Sequence, residues 1–232
     1  MLKLIVFDLD GTLSEDGYSA IPEKELSRIK NIENCGVKIA ICSGKPTHFL
    51  CGFLRQCDWK TPIMMGENGA VIQFGIFTPP TFFHVLPYSD DAKKSLAFLK
   101  EEIERRIPDM WFQPGLTAVT PFPKKDEEFD IIDDILKQNR DRLKDIIYYK
   151  HRDCYDAVPS GLNKGTAVEW LSKKLGIDIT DAATVGDGIN DYCMFEKVEH
   201  SFGINLPDKT KAKYNFDSLS DVLTYIENEL LK

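Results

Sequence analysis

The sequence contains no long hydrophobic run and no excess of basic charge. No apolar stretch in its 232 residues approaches the roughly 20 residues that a membrane-spanning helix requires. Its first seven residues are too short for a signal peptide and lack a cleavage site. The formal net charge of −8 disfavours a general nucleic-acid binder, which needs a basic face. We therefore expect a cytoplasmic protein that has neither a membrane nor a nucleic acid as its partner.

Cysteine and histidine are too scattered for a zinc site of the usual spacing. The six cysteines include no C-x-x-C pair, and the four histidines form no H-x-x-x-H. Reduced and mostly buried thiols are the favoured interpretation of the cysteines. A histidine-based metal site is therefore not expected.

What the chain does contain is an apolar strand pattern that ends in two carboxylates. Within residues 6–13, Asp8 and Asp10 lie one residue apart and are followed by Gly11. Because alternate residues of a strand point the same way, both carboxylates would crowd one side of the strand end and repel each other. A hard divalent cation such as Mg²⁺ would resolve this repulsion through oxygen ligands. The alternative is an ordinary turn that closes a strand, since Asp and Gly favour turns.

Strand and helix patterns alternate in both outer parts of the chain. Hydrophobic periodicity, with prolines at helix starts and glycines at helix ends, predicts a βαβαβ arrangement that resumes after Gly161. This alternation is typical of an α/β domain with a Rossmann-like parallel sheet. We assign residues 1–78 and 160–232 to this domain.

Between these parts, prolines cluster and short strand patterns dominate. The predicted strands cover residues 82–86, 110–113, 116–120, 146–149 and 154–158, and the predicted helices cover residues 91–106 and 128–138. Strands with two helices among them indicate an α+β module. We therefore predict an inserted α+β domain over residues 79–159.

Polar groups follow several predicted strands, at the edge where an α/β sheet binds its ligands. Besides the two aspartates, these groups are Ser43-Gly44, Asn163-Lys164-Gly165 at a helix entry, and Gly186-Asp187-Gly188-Ile189-Asn190-Asp191. Ser43, Asp187 and Asp191 could each be a simple helix cap. Lys164 could be a solvated surface lysine. Acid, hydroxyl and amine groups converging on one edge nevertheless favour a site for phosphate and metal.

In these motifs the sequence resembles the haloacid dehalogenase superfamily of phosphohydrolases. Asp8-Leu9-Asp10-Gly11-Thr12 matches the first motif, Ser43 the second, Lys164 the third and residues 186–191 the fourth. The insertion between the second and third motifs resembles the C2-capped subclass IIB, which includes Cof-type sugar phosphatases, sucrose-phosphate phosphatases and archaeal-type phosphoglycolate phosphatases. Glu67-Asn68-Gly69-Ala70 is also similar to that branch. Lys45 departs from the pattern, because an arginine often follows this glycine.

The resemblance implies a Mg²⁺-dependent phosphomonoesterase that acts on a small phosphate ester, such as a sugar phosphate or phosphoglycolate. Asp8 would be the nucleophile that forms an aspartyl-phosphate, and Asp10 the general acid and base. The implied metal ligands are Asp8, the backbone carbonyl of Asp10, Asp187 and Asp191. The implied phosphate-binding residues are Ser43, Gly44 and Lys164, with Thr12 and Asn190 in support.

The inserted domain would then be a lid that excludes water and supplies specificity contacts. Its candidate contacts are Trp111, Lys124, Lys125, Lys150, His151 and Arg152. For residues 150–152, a solvated charge run at a strand end is the alternative. A phosphotransferase or mutase similar to the phosphomannomutases would share the aspartyl-phosphate, and it is the alternative function.

Overall fold

The computed structural model describes residues 1–15 and 19–231. The chain divides into two compact units. The first, called the core unit here, comprises Met1–His84 and Asn163–Lys232, and the second, called the inserted unit, comprises Val85–Leu162. Within the described ranges, the structure contains no helix whose length and apolar character would suit a membrane span.

Twelve strands and seven α-helices are present in the described residues. The strands are β1 (Leu4–Phe7), β2 (Lys38–Cys42), β3 (Ile63–Gly66), β4 (Val71–Phe74), β5 (Phe82–Val85), β6 (Trp111–Gln113), β7 (Thr120–Phe122), β8 (Ile146–Lys150), β9 (Tyr155–Pro159), β10 (Ala182–Gly186), β11 (His200–Ile204) and β12 (Tyr214–Phe216). The helices are α1 (Glu23–Asn34), α2 (Thr47–Gln56), α3 (Asp90–Arg106), α4 (Asp126–Gln138), α5 (Lys164–Leu175), α6 (Tyr192–Phe195) and α7 (Leu219–Tyr225).

An eight-stranded sheet forms the centre of the core unit, in the order β12-β11-β10-β1-β2-β3-β4-β5. Strand β1 is parallel to both of its neighbours, with Phe7 opposite Ile41 of β2 and Val185 of β10. Parallel strands of matched register end at the same edge of a sheet. The segments that follow β1, β2 and β10 therefore start side by side, which is what an α/β ligand site requires.

The strands that reach this edge are anchored by an apolar core. Ile5 and Phe7 of β1 are completely buried in one cluster with Ile29 of α1 and Val222 of α7. Burying one such side chain contributes roughly 1.5–3 kcal/mol. The end of β1 is thus a rigid support for the acidic residue that follows it.

Residues at both ends of α5 determine where this helix begins and ends. The Asn163 side chain accepts a hydrogen bond from the backbone N–H of Thr166 at 3.0 Å, and the Thr166 hydroxyl in turn accepts from the backbone N–H of Asn163 at 3.0 Å. Gly176 ends the helix in the left-handed conformation, with φ of 66°. The helix therefore begins at the predicted entry, and Lys164 occupies its first position.

The predicted α/β class is confirmed, but the sheet differs from the prediction at one side. Strand β4 was not expected, and it runs antiparallel to β3, so the sheet is not wholly parallel. Residues 82–86 were predicted in the insertion, whereas β5 forms the edge of the eight-stranded sheet. Strand β12 has no counterpart in the prediction, and α7 is followed by a π-helical turn at Ile226–Leu230.

The inserted unit combines two helices with two antiparallel hairpins. Strands β6 and β7 form one hairpin, β8 and β9 form the other, and a bridge between Val119 and Ala157 joins them. A strand was also predicted at residues 116–120, whereas the observed strand β7 begins only at Thr120. Ile103 of α3, Ile135 of α4 and Tyr155 of β9 are buried together in a second apolar cluster. The unit therefore has an α+β character and a core of its own.

Candidate active site

Three carboxylates from opposite ends of the chain meet at the carboxyl edge of the central strands. Asp8, Asp187 and Asp191 each offer one oxygen, and these oxygens lie within 4.8 Å of one another. Asp8 directly follows β1 and Asp187 directly follows β10, so the parallel pairing of these strands accounts for their approach. Asp8 and Asp191 are buried, and Asp187 is half-buried. The group is a candidate metal centre.

Lys164 lies against two of these carboxylates. Its Nζ donates to Asp8 Oδ1 at 2.5 Å and to Asp191 Oδ1 at 2.7 Å. The side chain is 1% exposed, because α5 places it at its first, buried turn. The solvated-surface alternative for this lysine is therefore wrong.

Burial and mutual repulsion shift the protonation of this group. Burial raises the pKa of Asp8 well above its usual range, Asp191 and Asp187 raise it further, and Lys164 offsets only part of this. Burial and then Asp191 also raise the pKa of Asp187. Burial alone would lower the pKa of Lys164, but Asp191 and Asp8 outweigh it and hold that pKa well above its usual value. One ammonium therefore does not fully offset the cost of ionising neighbouring buried carboxyls.

The backbone around the carboxylates is shaped to let them approach. Gly11 has a φ of +90°, and a side chain there would collide with the Asp187 carboxylate. A Cβ at Gly186 would lie 2.5 Å from Asp191 Oδ2. The Thr12 hydroxyl donates to Asp187 Oδ1 at 3.1 Å. The backbone of the loops that follow β1 and β10 therefore lies in close contact with the carboxylates.

This donor set fits a hard divalent cation. Mg²⁺ prefers oxygen ligands and is commonly held by one or two carboxylates together with a substrate phosphate. Asp8 and Asp187 supply such oxygens, and a cation would offset the repulsion that raises their pKa values.

Asp191 also organises its own turn. Its Oδ2 accepts hydrogen bonds from the backbone N–H groups of Asp187 and Gly188 at 3.0 and 2.9 Å, while its Oδ1 accepts from Lys164. Asp191 precedes α6 but makes no side-chain hydrogen bond that caps it, so the helix-cap alternative for Asp191 is wrong. Asn190 is half-buried, and its side-chain oxygen lies close to Gly188.

Asp10 is not one of the described carboxylates whose oxygens lie within 4.8 Å of one another. Its Oδ2 is 4.0 Å from Lys45 Nζ, and the two side chains are 34% and 31% exposed. The sequence indicates Lys45 only as a departure from the family pattern. Its approach to Asp10 depends on side-chain torsions that no motif encodes.

Ser43 belongs to the loop after β2. Its hydroxyl is buried and accepts a hydrogen bond from the backbone N–H of Lys45 at 3.1 Å. Helix α2 begins at Thr47 with Pro46 as its N-cap, so Ser43 does not cap that helix. This hydrogen bond of the Ser43 hydroxyl lies within its own loop and does not link it to the carboxylates. Gly44 beside it is half-buried.

The loop that contains Ser43 is hydrogen-bonded to a left-handed turn that follows β3. Glu67 and Asn68 are buried and have φ values of 54° and 56°, an uncommon conformation for residues other than glycine. The Glu67 N–H donates to the Lys45 carbonyl at 3.0 Å, and the Asn68 N–H donates to the Ser43 carbonyl at 2.9 Å. Backbone strain of this kind is often kept at functional sites. The similarity of residues 67–70 to the family was the sequence signal for this turn.

The candidate contacts in the inserted unit are partly engaged within that unit. Lys150 Nζ lies 2.6 Å from Asp133 Oδ2, and the hydrogen bond to Asp133 raises the lysine's pKa. His151 Nε2 is 3.5 Å from Asp156 Oδ2, whereas Trp111 is 52% exposed. Lys150 is therefore less suited to a substrate anion than the sequence suggested.

Comparison with known families gives a match over most of the chain. The family model of the haloacid dehalogenase-like hydrolases matches residues 5–103 and 113–213. These segments contain all of the motif residues described above. The match therefore includes both the carboxylate group and Lys164.

Curated relatives and solved structures agree with this match. A phosphoglycolate phosphatase of Nitrosopumilus maritimus is 25% identical over 214 residues, which span 91% of this chain and 87% of the relative. A 5-amino-6-(5-phospho-D-ribitylamino)uracil phosphatase of Bacillus subtilis is 25% identical in an alignment that covers 95% of this chain and 94% of the relative. A haloacid dehalogenase-like hydrolase from Bacteroides thetaiotaomicron has the same fold, with a TM-score of 0.77, 16% identity, and coverage of 97% of this chain and 100% of that one.

Proposed function

This chain belongs to the haloacid dehalogenase-like hydrolases, as a phosphatase of subclass IIB, and we propose that it is a Mg²⁺-dependent phosphomonoesterase of small phosphorylated metabolites. The observation that carries the proposal is the group of three carboxylates whose oxygens lie within 4.8 Å of one another. Lys164, buried against two of them, adds the positive charge that a phosphoryl group needs. A turn that merely closes a strand would not need this arrangement.

We assign the metal to the side chains of Asp8, Asp187 and Asp191 and to the backbone carbonyl of Asp10. When bound, Mg²⁺ would offset the charge of the acids and of the phosphoryl oxygens during transfer. Thr12 would hold Asp187 in place through its hydrogen bond of 3.1 Å. Asn190 would support the turn that carries Asp191.

The proposed reaction has two steps on one nucleophile. An Asp8 carboxylate oxygen attacks phosphorus to form an aspartyl-phosphate, and the leaving alcohol takes a proton from Asp10. Asp10 then accepts a proton from water as the water attacks the same phosphorus, which releases phosphate and regenerates Asp8. Lys164, the Ser43 hydroxyl and the Gly44 N–H would hold the phosphoryl oxygens. Lys164 already lies 2.5 Å from the attacking carboxylate.

The relatives favour small esters as substrates. One is named for phosphoglycolate and the other for a ribitylaminouracil phosphate, and both compounds are small phosphate monoesters. We propose the same class for this chain. The role of the inserted unit as a cap remains a prediction of the family resemblance.

The test is phosphate release from a panel of esters, including phosphoglycolate, glucose 6-phosphate and p-nitrophenyl phosphate, with Mg²⁺. Chelation should abolish release and added Mg²⁺ should restore it. Asp8→Asn should lower kcat by about 10³-fold or more, because it removes the nucleophile. Asp58→Asn, at a side chain that is 84% exposed, is the matched control and should leave the rate unchanged.

Two results would contradict the proposal. Full activity of the Asp8→Asn variant would exclude the assigned nucleophile. An isomerised sugar phosphate formed without release of phosphate, and only with a bisphosphate activator, would instead select the phosphomutase alternative.

A further inference from the structure

The loop after β2 fixes the backbone of Lys45 on both sides. Its N–H donates to Ser43 Oγ at 3.1 Å, and its carbonyl accepts from the Glu67 N–H at 3.0 Å. Gly66 permits this close approach, since a Cβ there would lie 2.9 Å from the Lys45 carbonyl oxygen and 2.6 Å from the Thr47 nitrogen. The Lys45 side chain therefore leaves from a well-defined position.

From this position the side chain extends to Asp10. Lys45 Nζ lies 4.0 Å from Asp10 Oδ2 and 5.9 Å from the centre of the Phe49 ring, within the range of a cation–π contact. Ion pairs this exposed contribute little to the stability of a fold. The interest of this contact is therefore its position beside the Asp10 carboxyl and not its contribution to stability.

The two aspartates of the first motif are thus paired with different lysines. Lys164 donates to Asp8 inside the buried group, whereas Lys45 lies beside Asp10 at the half-exposed rim. Asp10 therefore has a cationic neighbour other than the lysine that contacts Asp8. Two different lysines suit the two roles proposed for these aspartates, in which Asp8 attacks phosphorus and Asp10 exchanges a proton.

We propose that Lys45 is a positioning residue that orients the Asp10 carboxyl for proton transfer to the leaving alcohol. The inference rests on the proposed function, in which Asp10 is the general acid. It predicts a selective defect. Esters whose leaving group needs a proton will depend on Lys45, and esters with a stable leaving group will not.

The test compares kcat/KM for two substrates, since this parameter reports the steps up to phosphoryl transfer to Asp8. Glucose 6-phosphate releases an alkoxide that needs protonation, whereas p-nitrophenyl phosphate releases a stable phenolate. Lys45→Met should lower kcat/KM about tenfold or more for the first ester and less than threefold for the second. Lys45→Arg, which keeps the charge, should restore most of the activity. Lys45→Gln is measured in parallel and should behave like Lys45→Met.

Lys60→Met is the matched control, because the Lys60 side chain is 59% exposed and pairs with Asp58. It should leave both kcat/KM values unchanged. An equal loss for both esters in Lys45→Met would overturn the positioning role, since a structural or phosphate-binding role predicts an equal loss. In that case a wild-type enzyme that hydrolyses both esters would still support the proposed function. A wild-type protein that hydrolyses no ester would instead overturn the proposed function.

Discussion

A buried hydroxyl on β10 has no hydrogen-bond partner among the described residues. Thr184 is fully buried, and its Oγ1 is unpaired there. An unsatisfied buried polar group costs about 1–3 kcal/mol. We therefore expect Thr184→Val to raise the free energy of unfolding by about 1 kcal/mol in chemical denaturation.

The neighbouring strand supplies the contrast for this prediction. Ser201 lies opposite Thr184 in the β10–β11 register, and its hydroxyl accepts a hydrogen bond from the Lys213 N–H at 2.9 Å. Ser201→Ala should therefore lower the free energy of unfolding by about 1 kcal/mol. If Thr184→Val were destabilising instead, the threonine hydroxyl would have a partner such as a buried water.

Asp187 predicts how metal and pH act on stability. A carboxyl whose pKa is raised by folding stabilises the protein below its unfolded pKa of about 3.8, and this contribution is lost as the pH rises through the folded pKa. Without Mg²⁺, Asp187→Asn should therefore melt a few degrees above wild type at pH 8 and close to wild type near pH 4. Added Mg²⁺ should raise the wild-type Tm more than that of the variant. Thermal unfolding in both buffers tests this, and a lower Tm for the metal-free variant at pH 8 would contradict it.

For individual residues, the sequence predicted that Asp8 and Asp187 lie close together, but it did not predict which side chains contact Asp10. The meeting of Asp8 and Asp187 within 4.8 Å follows from parallel strands of matched register, and strand patterns reveal these well. The contact of 4.0 Å between Lys45 and Asp10 could not be predicted in this way. It depends on a loop conformation that is set by Gly66 and by the left-handed Glu67, which lie more than twenty residues later in the chain.

Among the elements, the end of β3 and the start of α2 are packed too closely for any side chain at Gly66. Its Cβ would lie 2.6 Å from the Thr47 nitrogen. Gly66→Ala should therefore destabilise the protein by about 1–3 kcal/mol and lower phosphatase activity by moving the Ser43 loop. Gly52→Ala, within α2, is the control.

A Cβ at Gly52 would meet nothing within 4 Å, so alanine there should stabilise helix α2 by about 0.5–1 kcal/mol. Chemical denaturation and phosphate release measure both variants. If Gly66→Ala and Gly52→Ala were equally stable, the backbone between β3 and α2 would be able to shift enough to accommodate a methyl group.

The helices were easier to predict than the short strands. Helix α5 begins at the predicted entry because the Asn163 cap precedes it, and Gly176 ends it. Strand β12 has three residues, too few for a periodic pattern, and its pairing with β11 depends on distant contacts. Strand β5 resembles the short strands that follow it along the chain. Only its place at the edge of the eight-stranded sheet separates it from them.

In the molecule as a whole, the two apolar clusters predict that the core unit and the inserted unit can unfold locally and independently of each other. Ile29 in the core unit and Ile135 in the inserted unit are both completely buried helix residues. Truncation of either to alanine should cost about 2–5 kcal/mol. We expect Ile135→Ala to speed amide hydrogen exchange within residues 85–162 and Ile29→Ala to speed it in the remainder, as mass spectrometry of peptides would show. Faster exchange throughout the chain in both variants would indicate a single cooperative unit.

The burial of Lys164 has a consequence for chemical modification. Acylating reagents need an amine that is both accessible and unprotonated, and Lys164 is 1% exposed and kept charged by Asp8 and Asp191. Acetic anhydride would therefore label open lysines such as Lys94, whose side chain is 78% exposed, and spare Lys164 in the native protein. An acetyl group on Lys164 would identify molecules in which Lys164 had lost its contacts with Asp8 and Asp191. Acetylation of this lysine would therefore measure the fraction of molecules in which this group of side chains is disrupted.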